Sequence, residues 1–384
     1  MEGQPLGKQR FYFFDNLRAF IILLVVVFHI GMCYTTWDLA WWCVNDIKKS
    51  TFFDYFVLET DVYIMPIMFM IAGYFAPHVL IKNGISVFWR AKVRRIVIPW
   101  LGGTLFLAPL IAYSTFFSRM EIPPNYFVFW REGFWGPYYQ QGPYWFLGIL
   151  ALFFLILTIF HRNNPGYLAK ATVKTTPSTS FFVAFVLVTA VSFFCSNLFF
   201  WNDTWLNVKF LFMVQPVRLI LHFCYFGLGV YAWKHAWFTS GGYNPRLIPW
   251  ATAAMVMLFV FLSYRVAFTL VPDVPTLFKA GHALTHAAFC LTVTFALIAI
   301  FQRYFNKNHS LWRRLAANSY TIYFIHPCIY IPISCMVQKL DINIWIKYGS
   351  VSISSLILCF LIAEYVIRPI LAWGQQNENT LFHS

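Results

Sequence analysis

Long apolar segments recur along the whole chain and are separated by short polar connections. A run of about 20 apolar residues is long enough to cross a hydrocarbon core of roughly 30 Å as a helix, which satisfies its backbone hydrogen bonds internally. The chain is therefore predicted to be all-α, a polytopic membrane helical bundle that forms one domain over residues 1–384. Ten spans are predicted, near residues 15–36, 52–80, 96–118, 143–161, 179–199, 212–235, 247–270, 281–304, 316–338 and 344–369.

The composition excludes a water-soluble protein. Of the 384 residues, 60% are hydrophobic and only 11% are charged, whereas soluble domains carry roughly a quarter. The net charge of +14 does not indicate nucleic acid, because the basic residues are scattered between apolar spans rather than gathered on one soluble face. The eight cysteines show no metal-binding spacing. No metal, no tightly bound cofactor and no nucleic-acid partner are expected, and the oligomeric state stays open.

The distribution of basic residues predicts the orientation. Most lysines and arginines, including Lys8, Arg10, Lys170 and Lys174, lie at connections that an N-terminus in the cytoplasm would place on the cytoplasmic side. Both termini are therefore predicted to be cytoplasmic, in a cell membrane and most consistently a bacterial inner membrane. The outer connection 119–142 either helps to bind an external substrate or only covers helix ends.

The first span carries the most specific candidate chemistry, in the segment FDNLRAFIILLVVVFH. Eleven helical steps separate Arg18 from His29, which places both on one face about 16 Å apart, with Asp15 on the same side. An ionisable group at mid-membrane depth is costly and usually faces a cavity or a partner. His29 is therefore a candidate functional residue, and the alternative is a structural hydrogen bond between helices.

A second histidine lies at a similar depth in the ninth span, in the segment NSYTIYFIHP. His326 and His29 could share one site. The alternative is that His326 serves a backbone carbonyl freed by the neighbouring Pro327, and the sequence does not decide between the two.

Further charged residues fall into two groups. A basic cytoplasmic loop, RAKVRRIVIPW, holds Arg90, Lys92, Arg94 and Arg95; it could bind a phosphorylated cofactor, attract lipid headgroups or only enforce topology. Toward the outer side lie Glu59, Asp61, Arg218, Arg265, His282 and His286. Ion pairing for structure is the default expectation there, and a polar pocket for a hydroxyl-rich acceptor is the alternative. Trp41, Trp42, Trp130, Trp135 and Trp145 are typical of an interfacial belt.

These residues occur in ordered blocks through which nearly the whole chain resembles the acyltransferase 3 family of membrane O-acyltransferases, nearest to the branch of the periplasmic glucan succinyltransferase. The blocks are FDNLRAFIILLVVVFH, MFMIAGYF, RRIVIPW, PYWFL and SYTIYFIH. The resemblance implies an Arg-x10-His motif, matched by Arg18 and His29, with a catalytic histidine. It also implies an arginine-bearing loop that faces cytoplasmic acyl-coenzyme A, and Arg90, Arg94 and Arg95 occupy that place. Ala72 stands where the family usually has a serine.

The expected function is transfer of an acyl group, acetyl or succinyl, from cytoplasmic acyl-coenzyme A to a hydroxyl of a carbohydrate or cell-envelope glycan. The candidate catalytic residues are His29, Arg18 and His326. The candidate donor-binding residues are Arg90, Lys92, Arg94, Arg95 and Arg18, and the candidate acceptor-binding residues are Glu59, Asp61, Arg218, Arg265, Trp145 and Tyr320. Besides both substrates, membrane lipids are expected partners. A secondary transporter is the main alternative, since it also needs ionisable groups at mid-membrane; a structural membrane protein leaves the histidines unexplained.

Overall fold

A computed structural model describes residues 11–37, 42–169, 175–270 and 274–371. Helices dominate these ranges and one short antiparallel strand pair accompanies them. The predictions for Lys8, Arg10, Trp41, Lys170 and Lys174 concern residues outside the described ranges. The helices are α1 Tyr12–Gly31, α2 Thr51–Thr60, α3 Ile64–Lys92, α4 Ile98–Gly102, α5 Ala108–Ser118, α6 Tyr126–Val128, α7 Trp145–Asn163, α8 Pro165–Ala169, α9 Thr179–Asn197, α10 Pro216–Lys234, α11 Leu247–Leu270, α12 Thr276–Tyr304, α13 Ser310–Val337 and α14 Ile344–Ile362; the strands are β1 Leu206–Val208 and β2 Phe212–Val214.

Eight helical stretches within the described ranges are long and apolar enough to cross a membrane, and the predicted all-α polytopic membrane protein is confirmed. Two of the ten predicted spans, 52–80 and 96–118, lie in one helical stretch, Thr51–Ser118. The predicted span 212–235 corresponds to α10, whose 19 residues include the charged Arg218 and Lys234 and which is not among the eight.

The basic segment predicted as a loop is helical, which corrects that prediction. Gly84 has the non-helical angles φ 75° and ψ 167°, which divide α3 at a kink into two helical parts; glycine adopts this conformation without steric cost. The helix then continues through π-helical turns at Val93–Val97 into α4, where Pro99 lies in the first turn. Since the helix runs on from Val97 into α4 without a break, Pro99 leaves one helical hydrogen bond unmade at this point. Arg90, Arg94 and Arg95 are therefore displayed on helical backbone.

The chain divides into two compact units, each built from three separate segments. The first contains residues 1–14, 59–104 and 141–306, and the second contains residues 15–58, 105–140 and 307–384. A single membrane domain stays a prediction.

In the first unit, α3 and α10 approach closely at two glycines. A Cβ atom added at Gly73 would lie 2.1 Å from the carbonyl oxygen of Phe226, and one at Gly229 would lie 2.1 Å from that of Met70. Small residues at such crossings allow backbones to touch, which is how helices pack in a membrane without a hydrophobic driving force. Tight packing between α3 and α10 therefore depends on these two positions.

In the second unit, a buried ion pair holds the connection that follows α1. The ammonium group of Lys347, at the start of α14, lies 2.9 and 3.0 Å from the two carboxylate oxygens of Asp46 and 2.8 Å from the carbonyl of Gln338. Lys347 is 0% and Asp46 is 3% exposed. The backbone N–H of Asp46 also donates to the carbonyl of Cys33 at the end of α1. Residues 42–50 are thereby fixed to α1, α13 and α14.

Candidate active site

His29 of α1 and His326 of α13 form a hydrogen-bonded pair in the second unit. Nδ1 of His29 lies 2.9 Å from Nε2 of His326, the ring centres are 5.0 Å apart and the ring planes differ by 7°. Such a short nitrogen contact with such distant ring centres requires the rings to meet edge to edge, with their planes nearly parallel. The two histidines therefore lie in direct contact, and their sharing of one functional site stays a prediction.

The proline beside His326 determines how the pair is hydrogen-bonded. Pro327 has no N–H, so the carbonyl of Tyr323, four residues earlier in α13, loses its regular helical partner. That carbonyl instead lies 2.6 Å from Nδ1 of His326. A carbonyl only accepts, so Nδ1 of His326 carries the hydrogen and donates it. Both roles considered for His326 therefore occur together: it serves the freed carbonyl and contacts His29.

The hydrogen positions in the rest of the pair follow from this donor. A neutral imidazole has one N–H and one acceptor nitrogen, so Nε2 of neutral His326 is an acceptor. Nδ1 of His29 must then donate to it, which leaves a lone pair on Nε2 of His29. That atom has no hydrogen-bond partner among the described residues, and His29 is partly exposed whereas His326 is 0% exposed. Nε2 of His29 is therefore available as a base, and the hydrogen bond from Nδ1 to His326 fixes the orientation of the His29 ring.

Aromatic side chains enclose the pair. The ring of Trp42 lies 5.5 Å from that of His29, and Tyr330 lies 5.9 Å from His326 and 6.3 Å from His29. The hydroxyl of Tyr330 lies 3.4 Å from the thiol of Cys43, which is outside the spans. Burial raises the pKa of Cys43 to about 12, so Cys43 is a neutral thiol. Residues 42–50 thus form one wall of the site.

Arg18 lies away from the histidines. It forms an ion pair with Asp15 at 3.3 Å, and the two side chains are 39% and 25% exposed. Since α1 is an uninterrupted helix, Arg18 and His29 are about 16 Å apart along its axis. Arg18 therefore does not contact His29, and its place near the start of α1 suits ligand binding or structural pairing.

The structure separates Lys92 from the arginines predicted to accompany it. Its ammonium group lies 3.9 Å from the ring centre of Phe154 and 5.0 Å from that of Phe88. A cation in this position is stabilised by the ring faces. Arg90, Arg94 and Arg95 are exposed, so these three are the better placed for an anionic ligand.

The first unit gathers several of the predicted acceptor-binding residues. Arg218 of α10 donates a hydrogen bond to Asp61, which lies between α2 and α3. Arg218 also lies 3.7 Å from Asp203, and Arg265 of α11 lies 3.8 Å from the other oxygen of Asp203. Of the two acids and two arginines that were predicted to pair, Asp61 and Arg218 do so, whereas Arg265 lies near Asp203.

One of the predicted acids is not part of this network. Glu59 accepts a hydrogen bond from the hydroxyl of Thr60 and forms no ion pair with a described residue. The second acid is Asp203, which sequence reasoning missed because it lies in a connection between spans. Trp145 does lie nearby, with its ring 5.7 Å from His222 and 5.3 Å from Trp205. Tyr320, in the second unit, is 42% exposed and makes no contact with His29 or His326.

Several functional candidates were assigned no role, or only a general one, from the sequence. They are Trp42, Cys43, Asp46, Tyr330 and Lys347 around the histidine pair, and Asp203, Trp205 and His222 in the first unit. His222 gave a weak signal as an ionisable residue in a span; the others resemble belt, loop or packing residues.

Comparisons with known proteins give one family match. The acyltransferase domain family matches residues 11–364. The relatives include glucans biosynthesis protein C from Escherichia coli strain SMS-3-5 / SECEC, strain K12 and O1:K1 / APEC, each 32% identical over 97 residues. The alignment covers 25% of this chain and 24% of the length of each relative. No solved structure gives a significant match.

Proposed function

The chain belongs to the acyltransferase 3 family of membrane acyltransferases, and on that premise we propose that it moves an acyl group from cytoplasmic acyl-coenzyme A to a hydroxyl of a carbohydrate or cell-envelope glycan. The observation that supports this most directly is the His29–His326 pair. It provides a lone pair on a partly exposed nitrogen inside a membrane helix, held in one tautomer by a second histidine and a backbone carbonyl.

The proposed reaction is general base catalysis. Nε2 of His29 takes the proton of the acceptor hydroxyl while the hydroxyl oxygen attacks the thioester carbonyl. The new C–O bond forms, the C–S bond breaks, and the coenzyme A thiolate takes the proton from His29. When His29 is protonated, its Nδ1–H still donates to Nε2 of His326, so the pair stabilises the imidazolium without a second proton transfer.

A covalent route uses the same nitrogen. Nε2 of His29 attacks the thioester carbonyl, the C–S bond breaks and coenzyme A leaves as the thiolate. The acceptor hydroxyl oxygen then attacks the acyl-histidine, the C–N bond breaks, and the hydroxyl proton passes to solvent, where the thiolate can take it up. Both routes require the tautomer derived above, because each uses the lone pair on Nε2. Rapid acid quenching of protein incubated with labelled acyl-coenzyme A distinguishes them: a label bound to His29 supports the covalent route.

The donor is proposed to bind through exposed arginines. Arg90, Arg94 and Arg95 suit the phosphate groups of coenzyme A, since guanidinium groups bind phosphate bidentately. Arg18, near the start of α1, is a further candidate for the same ligand. The acceptor is proposed to bind at the Asp61–Arg218–Asp203–Arg265 network with Trp145, which offers charged hydrogen-bonding groups beside aromatic rings.

The decisive experiment measures acyl transfer by purified protein in lipid vesicles. Labelled acetyl- or succinyl-coenzyme A is supplied on one side and a glucan on the other, and labelled glucan is measured for the wild type and for His29→Ala. We expect transfer by the wild type only, with both proteins inserted equally. Equal transfer by His29→Ala would refute the catalytic assignment of His29. Failure of the wild-type protein to bind coenzyme A would refute the proposal that acyl-coenzyme A is the donor.

A further inference from the structure

The arrangement of charges around Asp203 suggests a more specific ligand than a neutral sugar. One oxygen of Asp203 lies 3.7 Å from Nη2 of Arg218 and the other lies 3.8 Å from Nη2 of Arg265. Both distances exceed the range of about 2.7–3.2 Å for a good hydrogen bond. Two guanidinium groups thus converge on a single carboxylate without being closely bound by it.

The three side chains differ in exposure. Arg218 and Arg265 are each 12% exposed, whereas Asp203 is 48% exposed. Arg218 is fixed from its other side by Asp61, and both arginines extend from helices. Asp203 lies in the connection between α9 and β1. The cations are therefore held by the fold, and the anion between them belongs to the more exposed segment.

Buried polar atoms at this location lack hydrogen-bond partners. Within the described residues, neither Nε of Arg218 nor either ring nitrogen of His286 has one. His286 is 3% exposed. Leaving a buried polar group unpaired destabilises the folded protein, and a ligand rich in hydrogen-bonding atoms would offset that effect.

We propose that Arg218 and Arg265 form a binding site for an oxyanion, a carboxylate or a phosphate, carried by the sugar acceptor, and that Asp203 occupies this site until the ligand displaces it. Asp203 places one negative charge near both arginines, so an incoming anion that replaces it preserves the net charge. Trp145 and Trp205, whose rings are 5.3 Å apart, provide aromatic surface in the same unit for the sugar ring. The inference rests on the proposed function, because that function makes the ligand a sugar.

The test compares glucose with glucuronate, which differ by one carboxylate, as ligands of the purified full-length protein in titration calorimetry. The wild type should bind glucuronate more tightly. Asp203→Asn should raise the affinity for glucuronate about two- to fivefold, the range that a partly exposed ion pair is worth, and should raise it more than the affinity for glucose. Arg265→Gln should abolish the preference; Arg265 is chosen because removing Arg218 would leave Asp61 without its hydrogen-bonded cation. A parallel titration with glucose 6-phosphate shows whether phosphate is accepted as well as carboxylate.

Asp341→Asn is the matched control, since it makes the same charge change at an exposed acid paired with Lys48. It should leave both affinities unchanged. If Asp203→Asn leaves glucuronate binding unchanged or weakens it, or strengthens glucose binding equally, the inference is wrong. Acyl transfer to a neutral glucan with no preference for anionic sugars would overturn this inference alone. Absence of transfer together with the Asp203→Asn gain would overturn the proposed function and support the anion site.

Discussion

The imidazole of His326 donates to the carbonyl of Tyr323 at 2.6 Å, and this contact within one turn of α13 determines which nitrogen of His29 is basic. Without it, Nε2 of His326 could carry the hydrogen, and Nδ1 of His29 would be the acceptor. His29 would then present an N–H, rather than a lone pair, to its substrates. The chemistry proposed for α1 is therefore set by the backbone of α13.

Replacing Pro327 tests this dependence. Pro327→Ala restores an N–H that competes with His326 for the carbonyl of Tyr323. We expect kcat to fall several-fold, the equivalent of about 1 kcal/mol for one hydrogen bond, with KM for acyl-coenzyme A unchanged. Pro332→Ala in the same helix is the control, because it restores an N–H with no histidine involved. Equal effects of the two substitutions would mean that helix shape, not the histidine, is responsible.

Substitution of His29 should lower kcat more than substitution of His326. His29→Ala should lower kcat by about 10²–10⁴, the usual contribution of a general base. His326→Leu should cost less, and His326→Gln should recover part of that loss because its amide oxygen can accept from Nδ1 of His29. His78→Ala, at an exposed position of α3, should have no effect. Identical rates for His326→Leu and His326→Gln would exclude the positioning role of His326.

The exposed arginines should control donor affinity. Substituting both Arg94 and Arg95 by alanine is expected to raise KM for acyl-coenzyme A roughly tenfold or more, because charge-assisted hydrogen bonds to phosphate are lost, while kcat stays the same. Lys82→Ala is the control, an exposed cation of α3 outside the arginine group. An unchanged KM in steady-state kinetics would exclude a role of these arginines in donor binding and leave them only the role of fixing membrane topology.

The buried ion pair should respond differently to single and double substitution. Lys347→Met is expected to destabilise the protein by about 3–5 kcal/mol, because it leaves the carboxylate of Asp46 buried without a cation. Combining it with Asp46→Leu should recover much of the loss. Lys48→Ala, which breaks the exposed pair with Asp341, should cost about 1 kcal/mol or less. Thermal unfolding in detergent measures all three; a single substitution no more harmful than the double would contradict the expected pairing.

Close helix packing gives the last prediction. Gly73→Ala places a methyl group 2.1 Å from the carbonyl oxygen of Phe226, so the midpoint of thermal unfolding should fall markedly. Gly102→Ala, where no heavy atom lies within 4 Å, should leave it unchanged. A Gly73→Ala protein as stable as Gly102→Ala would show that α3 and α10 can move apart without cost.

The sequence predicted the membrane helices well because lipid imposes a strong and simple pattern on each span. It did not predict that the basic segment at the end of α3 is helical, since a charged stretch between apolar runs is equally typical of a loop. His29 and His326 could be predicted because histidine in an apolar span is unusual. Their tautomers could not, because these depend on a distance between helices far apart in sequence. Asp203 and Asp46 lie in polar connections between helices. Acidic residues are common there, so the sequence does not show that these two form ion pairs.

The Asp46–Lys347 pair also imposes an order on biosynthesis. Asp46 is synthesised about 300 residues before the lysine that neutralises it, and domains begin to fold while the chain is still being made. Until α14 enters the bilayer, the wall formed by residues 42–50 lacks its cation and the histidines lack their enclosure. Insertion of α14 thus completes this wall, and on the proposed function we expect a nascent chain stopped before α14 to be inactive.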